Sequence, residues 1–143
     1  MRFDAPTADE LPLVYDAWAS SYRKSPFAGC VRNCDWDAVS RGTIGEILDR
    51  PARVIVGVLD LPDGTRRVAA YSVSEPAFGC LHWLYVKRNF RGQGLGRQLL
   101  AHTTADWAAA SATRRVYTHR TNASQRFLGP TWKWDDSLAR VKR

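Results

Sequence analysis

The chain has 143 residues, with 21 Lys and Arg against 14 Asp and Glu, so its formal net charge at pH 7 is +7. This length suits one domain over residues 1–143, and the 45% share of hydrophobic residues argues against a disordered protein. No apolar run approaches the roughly 18 residues of a membrane span, and the N-terminus lacks a signal-peptide apolar region. We therefore expect a cytoplasmic protein without a membrane segment.

The cysteines and the positive charge limit which metals, cofactors and macromolecules we expect the chain to bind. Cys30 and Cys34 lie close together in the sequence, whereas Cys80 is remote. An odd number of cysteines with this spacing predicts neither a disulfide scaffold nor a zinc site, so we expect thiols and no bound metal. The excess of basic residues suits a phosphorylated cofactor, a solvated basic surface or attraction to nucleic acid.

Two amphipathic helices are predicted near the N-terminus. The first begins after Asp9, its predicted N-cap, and ends near residues 21–23; Pro12 lies in its first turn, where a missing N–H group costs little. The second is predicted over residues 35–48, with Asp35 as its cap. The apolar stripe of the first helix consists of Leu11, Val14, Tyr15, Trp18 and Tyr22.

Strands are predicted in the second half of the chain. Runs of β-branched and apolar residues predict three of them, at residues 54–59, 68–74 and 81–86. Because the turns between them are short, we expect an antiparallel meander. A helix over about residues 95–110 follows, after which residues 115–120 predict a strand that returns parallel to the third. Residues 132–134 predict a last short strand.

The segment between the third strand and the next helix carries the clearest functional signal. It reads Arg91-Gly92-Gln93-Gly94-Leu95-Gly96. A strand, a glycine loop and a helix start present unpaired N–H groups and a positive dipole end to an anion. Glycines let the main chain approach a bulky phosphate, and Arg91 and Arg97 add charges that pair with its oxygens. The segment therefore predicts a phosphorylated ligand.

Two common phosphate-binding motifs do not fit this segment. The sequence holds no P-loop string ending in Gly-Lys-Ser/Thr. A dinucleotide fingerprint counted from Gly92 requires a glycine where Arg97 stands, and an acidic residue about 20 positions after Gly96, where Val116 stands.

The pattern that remains, Arg91-x-x-Gly94-x-Gly96, resembles that of the GNAT superfamily of acyl-CoA-dependent N-acetyltransferases. In that family the pattern follows a strand, opens a helix and holds the pyrophosphate of coenzyme A. The resemblance implies an α/β (α+β) fold: a mixed, mostly antiparallel central sheet with splayed strands and flanking helices, here with a shortened C-terminal part. It also implies acetyl-CoA as acyl donor without a metal. Residues 18–27 and 81–87 are similar to small bacteriophage-encoded members.

The resemblance also assigns residues to the coenzyme A site. They come from the splayed strand, the glycine loop, the first helical turn and an asparagine after the following strand. By position they are Leu84, Tyr85, Val86, Arg91, Gly92, Gln93, Gly94, Leu95, Gly96, Arg97 and Asn122. The tyrosine that often reprotonates the leaving thiolate in the family would fall near Gly129, so it is absent from its expected place.

The same resemblance suggests candidate catalytic residues. His82 lies two residues before Leu84, where some arylalkylamine-acetylating relatives carry a catalytic histidine, and its ordinary pKa suits a general base at neutral pH. The alternative is a histidine held by a hydrogen bond in the core. On a period of two, His82 would share a face of its strand with Leu84 and Val86. Tyr117 and Tyr22 are the candidate general acids.

The acceptor is expected to be an amine of a small molecule or peptide, taken up by a monomer or homodimer. In the family the connection after the first helix forms one wall of the acceptor site, so Ser21, Tyr22, Arg23 and Ser25 are candidate substrate contacts.

Two other functions stay open. One is modification of DNA bases, as in the Mom-type branch of the fold. Its candidate contacts are Trp132, Trp134, Arg114, Arg115 and Arg120. The other is a module that binds coenzyme A without turnover, which the missing tyrosine favours.

Overall fold

A computed structural model describes residues 1–24, 41–107, 115–119 and 121–140, apart from the side chains of Asn122 and Arg140. The described residues form one six-stranded sheet with the order β1-β2-β3-β4-β5-β6. The strands are β1 Arg2–Asp4, β2 Arg53–Asp60, β3 Arg66–Glu75, β4 Cys80–Val86, β5 Arg115–Tyr117 and β6 Trp132–Trp134. The helices are α1 Glu10–Arg23, α2 Gly42–Asp49, α3 Leu95–Thr104, α4 Asn122–Leu128 and α5 Ser137–Arg140.

The pairing of the strands confirms the predicted mixed sheet. Strands β1 to β4 pair antiparallel, and β4–β5 and β5–β6 pair parallel. The meander, the parallel return and the last short strand are therefore confirmed. Strand β1 was not predicted, because Phe3 is its one apolar residue and so gives no alternating pattern.

The sheet buries a different set of side chains on each face. Helices α1 and α2 cover one face, where Trp18 and Ile47 pack against Val56, Tyr71 and Trp83. Helix α3 covers the other face through Leu95 and Leu99, and the segments around β5, α4 and β6 extend that layer. The two layers of helices therefore lie on opposite sides of a gap in the sheet.

Three details of the helices differ from the sequence prediction. Asp9 lies at the N-cap of α1 but makes no capping bond; instead the Glu10 carboxylate accepts from the Thr7 N–H at 2.8 Å. Leu11 is 40% exposed, so the buried stripe of α1 begins at Val14. Helix α3 ends at Thr104, earlier than predicted.

Some predicted features lie outside the described residues. They are the start of α2 at Asp35 and the cysteines Cys30 and Cys34. The third cysteine, Cys80, is described and is a buried thiol.

A β-bulge in β4 overturns the predicted face of His82. Val73 of β3 lies opposite Trp83, but the next residue of β3, Ser74, lies opposite Leu81, so His82 is the extra residue. The side chain of His82 therefore lies with Trp83 on the α1–α2 side, where it contacts Glu75, and not with Leu84 and Val86. A period-two count assumes a regular strand, and nothing in the sequence marks the bulge.

The packing of α3 gives a direct test of the core. Leu99 is fully buried against β2 and β3, so Leu99→Ala should lower the free energy of unfolding by about 3 kcal/mol. Leu13→Ala is the matched control, because Leu13 on α1 is 59% exposed, and it should cost below about 0.5 kcal/mol. Urea denaturation measures both values. Equal losses would contradict the placement of α3.

Candidate active site

The sheet opens between β4 and β5. These strands pair only where Cys80 and Leu81 lie beside Val116 and Tyr117, and the last bond between them runs from the Thr118 N–H to the Leu81 carbonyl. Beyond that point the strands diverge, as the predicted splay requires. A cavity of about 870 Å³ occupies the gap. Its walls include residues from both faces of the sheet, so it connects the α3–α4 side with the α1 side.

The edge of β4 that faces this gap offers backbone groups. The Lys87 N–H donates to the Ala69 carbonyl of β3 at 2.9 Å. Because backbone groups alternate along a strand, Tyr85 also turns its groups toward β3, while Leu84 and Val86 turn theirs toward the gap. The Val86 carbonyl there accepts from Arg91 Nε at 2.8 Å.

The glycine loop forms the end of the cavity nearest α3. Gly94 is the N-cap of α3 with a φ of 74°, and a Cβ added to it would meet nothing within 4 Å. Its carbonyl accepts from the N–H groups of Arg97 and Gln98. The N–H groups of Leu95 and Gly96 precede these donors and have no acceptor in the described part of the chain. They stand at the positive end of the helix dipole, in the arrangement that binds anions.

The charge of the cavity suits an anion as well. Its cationic side chains are Lys24, Arg88, Arg91 and Arg97, and of the residues described no Asp or Glu lines it. The predicted coenzyme A residues line the cavity, apart from Gln93, which is exposed and lies outside it, and Asn122, which begins α4 and whose side chain is not described. Arg91 also lies over the ring of Tyr85, at 5.4 Å.

Aromatic rings surround the opposite end of the cavity. His119, just beyond β5, packs edge to face against Trp18 and Tyr22, with ring centroids 4.9 Å apart in each pair. Trp83 of β4 lines the cavity beside them, 5.8 Å from Tyr22. Of the predicted substrate contacts, Ser21 lines the cavity, Tyr22 lies in this aromatic cluster behind the cavity wall, Arg23 does not line the cavity, and Ser25 lies outside the described residues.

A chain of buried hydrogen bonds runs from Glu75 to His119 at the cavity wall. His82 is 1% exposed, and its Nε2 lies 2.8 Å from Glu75 Oε1. Its Nδ1 lies 2.9 Å from Thr118 Oγ1, which lies 2.9 Å from Nδ1 of His119. Arg50 pairs with the same Glu75 oxygen at 3.3 Å. Both nitrogens of His82 are thus held inside the protein.

The comparison with known proteins agrees with this geometry. The family described as the acetyltransferase (GNAT) domain matches residues 51–128, which is more than half of the 143 residues. The chain belongs to this family. No curated protein matches the sequence significantly. The match covers β2 to β4, the glycine loop, α3 and α4, which together carry most of the cavity wall.

Tyr117 is well placed in the GNAT cavity. It lines the gap beside Leu81 at the end of β5 and is 8% exposed. No described residue forms a hydrogen bond with its hydroxyl. The predicted role of Tyr117 as general acid therefore stays a candidate.

Sequence reasoning missed His119 and the chain behind it. The predicted strand ran to residue 120, whereas β5 ends at Tyr117 and the chain bends at Thr118 and His119. A histidine directly after a strand that returns beside the glycine-loop strand is the signal that marks it. The partners Glu75 and Arg50 come from distant segments and carry no such signal.

The structure describes only some of the residues that are predicted to contact DNA bases. Trp132 is buried against Trp107 and Leu128, with Arg115 over its ring at 5.7 Å, so its face is not a free stacking surface. Trp134 is 47% exposed, and Arg114 and Arg120 lie outside the described residues. None of the described helices has the length and apolar character of a membrane span, and the described residues hold no cluster of three metal-ligating side chains.

The acidity of His119 gives a prediction for this GNAT domain. Burial is the main reason that its pKa is lowered from the usual 6.5 to about 3; a charge on His82, when that ring is protonated, acts in the same direction, and a hydrogen bond to the His82 backbone acts against it. Between those pH values the unfolded chain binds a proton that the folded chain does not. The free energy of unfolding should therefore fall as the pH falls from about 6.5 toward 3, by up to about 1.4 kcal/mol per pH unit from this group.

Urea denaturation across that pH range, compared with His119→Gln, isolates the contribution, because glutamine does not titrate. The difference between the two proteins should shrink as the pH falls. A difference that is constant from pH 7 to pH 4 would contradict the lowered pKa.

Proposed function

We propose that the domain transfers the acetyl group of acetyl-CoA to a primary amine of a small molecule or peptide, by direct attack in a ternary complex. One observation carries this proposal: the cavity passes between β4 and β5 and joins an anion-binding end to an aromatic end. Such a passage lets donor and acceptor meet from opposite faces of the sheet, which provides the proximity that a two-substrate reaction needs.

The donor end fits coenzyme A on its chemistry. Free N–H groups at Leu95 and Gly96 suit the pyrophosphate, as do Arg97 and Arg88, which make no ion pair in the described residues. The gap-facing backbone of Leu84 and Val86 suits the amides of the pantetheine arm. When bound, acetyl-CoA supplies a thioester whose acyl carbon is open to attack.

The acceptor end suits an amine. An alkylamine with a pKa of about 10.4 must lose its ammonium proton, at a cost of about 4–5 kcal/mol at pH 7, before it can attack. Trp83, which lines the cavity, can stabilise the cation through its ring, and neutral His119 offers a proton acceptor. A backbone N–H at the gap-facing edge of β4 is the candidate donor to the developing oxyanion.

Gly94→Ala tests the donor site. A Cβ at this position projects into the open cradle, so acetyl-CoA should bind at least about tenfold more weakly by isothermal titration calorimetry. Gly64→Ala is the matched control: Gly64 also has a positive φ, 82° against 74°, and open space around it, but lies in the β2–β3 turn. Both variants should lose about 1 kcal/mol of stability from backbone strain.

Unchanged affinity in Gly94→Ala, or an equal loss in Gly64→Ala, would contradict the assigned donor site. Thiol release should then be measured on a panel of 2-phenylethylamine, spermidine and a peptide with a free N-terminus, alongside single-stranded DNA. Binding of acetyl-CoA without thiol release on any amine would favour a non-catalytic module, and acylation of DNA alone would favour a base-modifying enzyme.

Tyr117→Phe tests the candidate general acid. Loss of the hydroxyl should lower kcat by about a hundredfold and leave the affinity for acetyl-CoA unchanged, because the ring still packs on Leu81 and Trp132. Tyr15→Phe is the control, since the Tyr15 hydroxyl donates to the Arg41 carbonyl away from the cavity. A wild-type kcat in Tyr117→Phe would remove Tyr117 from the mechanism.

A further inference from the structure

We propose that His119 takes the proton of the acceptor ammonium at Nε2, and that Thr118 and His82 relay the charge inward to Glu75. The inference rests on the proposed acetyl transfer to an amine and names the groups that activate the acceptor. His119 is then the catalytic residue at the cavity surface, and Thr118, His82 and Glu75 are positioning residues behind it.

The hydrogen bonds fix the direction of the chain from its inner end. Glu75 Oε1 already accepts from Arg50 Nη1, so it can only accept from His82, whose Nε2 must carry a proton. In neutral His82, Nδ1 is then bare and accepts from the Thr118 hydroxyl at 2.9 Å. Thr118 Oγ1 has spent its one proton and accepts in turn from His119 Nδ1–H at 2.9 Å.

This order leaves Nε2 of His119 without a proton. No side chain of the described residues bonds to that nitrogen, and His119 lines the cavity. The buried Glu75 carboxylate thus sets the tautomer of His119 through His82 and Thr118. The lone pair on Nε2 of His119 then faces the acceptor amine. His82, predicted from the sequence as the base, has both its nitrogens engaged and fits the interior position.

The transfer balances as a shift of three protons. The ammonium proton passes to His119 Nε2, the His119 Nδ1 proton passes to Thr118 Oγ1, and the Thr118 hydroxyl proton passes to His82 Nδ1. The neutral amine nitrogen then forms its bond to the acetyl carbon while the carbon–sulfur bond breaks. The second proton of the amine leaves with the thiol, and the relay returns its own proton to solvent by the reverse path.

The charges around the chain explain why the positive charge moves inward. His119 is enclosed by Trp18, Tyr22 and Trp83, and burial lowers its pKa to about 3, so an imidazolium is poorly stabilised there. His82 instead has a carboxylate oxygen 2.8 Å from Nε2. A proton that enters at His119 is therefore more stable once the charge reaches His82.

The tautomers can be observed without any reaction. Long-range proton–nitrogen NMR correlations of the histidine rings, recorded at pH 7.5 on the full chain, should show a proton on Nδ1 and none on Nε2 of His119. In Thr118→Val the fixed order is broken, and the His119 signals should change to a mixture of tautomers. A proton on Nε2 of His119 in the wild-type protein would overturn the relay.

Kinetics test the relay against a structural role. With acetyl-CoA and the most rapidly acetylated amine of the panel, Thr118→Val should lower kcat at least tenfold, and Thr118→Ser should restore most of it. The solvent isotope effect on kcat should come from several protons in the wild type and from one in Thr118→Val. Thr103→Val is the matched control, because it removes a buried hydroxyl that bonds Ser72 and the Leu99 carbonyl outside the relay.

These outcomes separate the relay from the proposed function. A wild-type kcat in Thr118→Val, or an equal loss in Thr118→Ser or Thr103→Val, would overturn the relay while acetyl transfer stands. Absence of thiol release on every amine would overturn the proposed function, and with it the relay as an acetyl-transfer device, whatever the tautomers show.

Discussion

The structure depends on one extra residue in β4. Because His82 is inserted opposite Val73, both Leu81 and Leu84 turn their backbone groups away from β3, although they are three positions apart. In a regular strand, Trp83 and Tyr85 would share the face of Leu81, under α3. The bulge moves their side chains to the α1 side, where Trp83 lies in the aromatic cluster, and it turns the backbone of Leu84 and Val86 toward the gap, where the proposed donor would bind.

The same splay separates two kinds of environment. On the α3 side, unpaired N–H groups and Arg97 meet solvent and suit a multiply charged ligand. On the α1 side, aromatic rings pack around His119, which is 8% exposed, and electrostatic contacts are stronger in such buried surroundings. The proposed reaction, between a charged carrier and an amine, needs these opposite surroundings. The divergence of β4 from β5 supplies both within a single cavity.

The sequence was sufficient where the signal is local. The glycine loop, the strands β2 to β4 and the parallel return of β5 follow from periodicity and from backbone rules, and the structure confirms them. The acceptor end was harder, because it depends on a bulge and on contacts between distant segments. In the sequence, nothing distinguishes Glu75 and Arg50 from ordinary surface charges at the ends of helices and strands. The sequence predicts His119 inside a strand, because it does not show that β5 ends at Tyr117.

The buried pair of Arg50 and Glu75 has a place in this arrangement that stability alone does not explain. Each side chain is at most 5% exposed, and the desolvation of such a pair commonly cancels its attraction. Arg50 also donates to the carbonyls of Leu138 and Ala139, so it is satisfied without transferring a proton. It thereby holds one oxygen of Glu75 in place beneath His82. An apolar pair of the same volume would pack as well, but it would leave Nε2 of His82 without its hydrogen-bond partner and with no group to fix its tautomer.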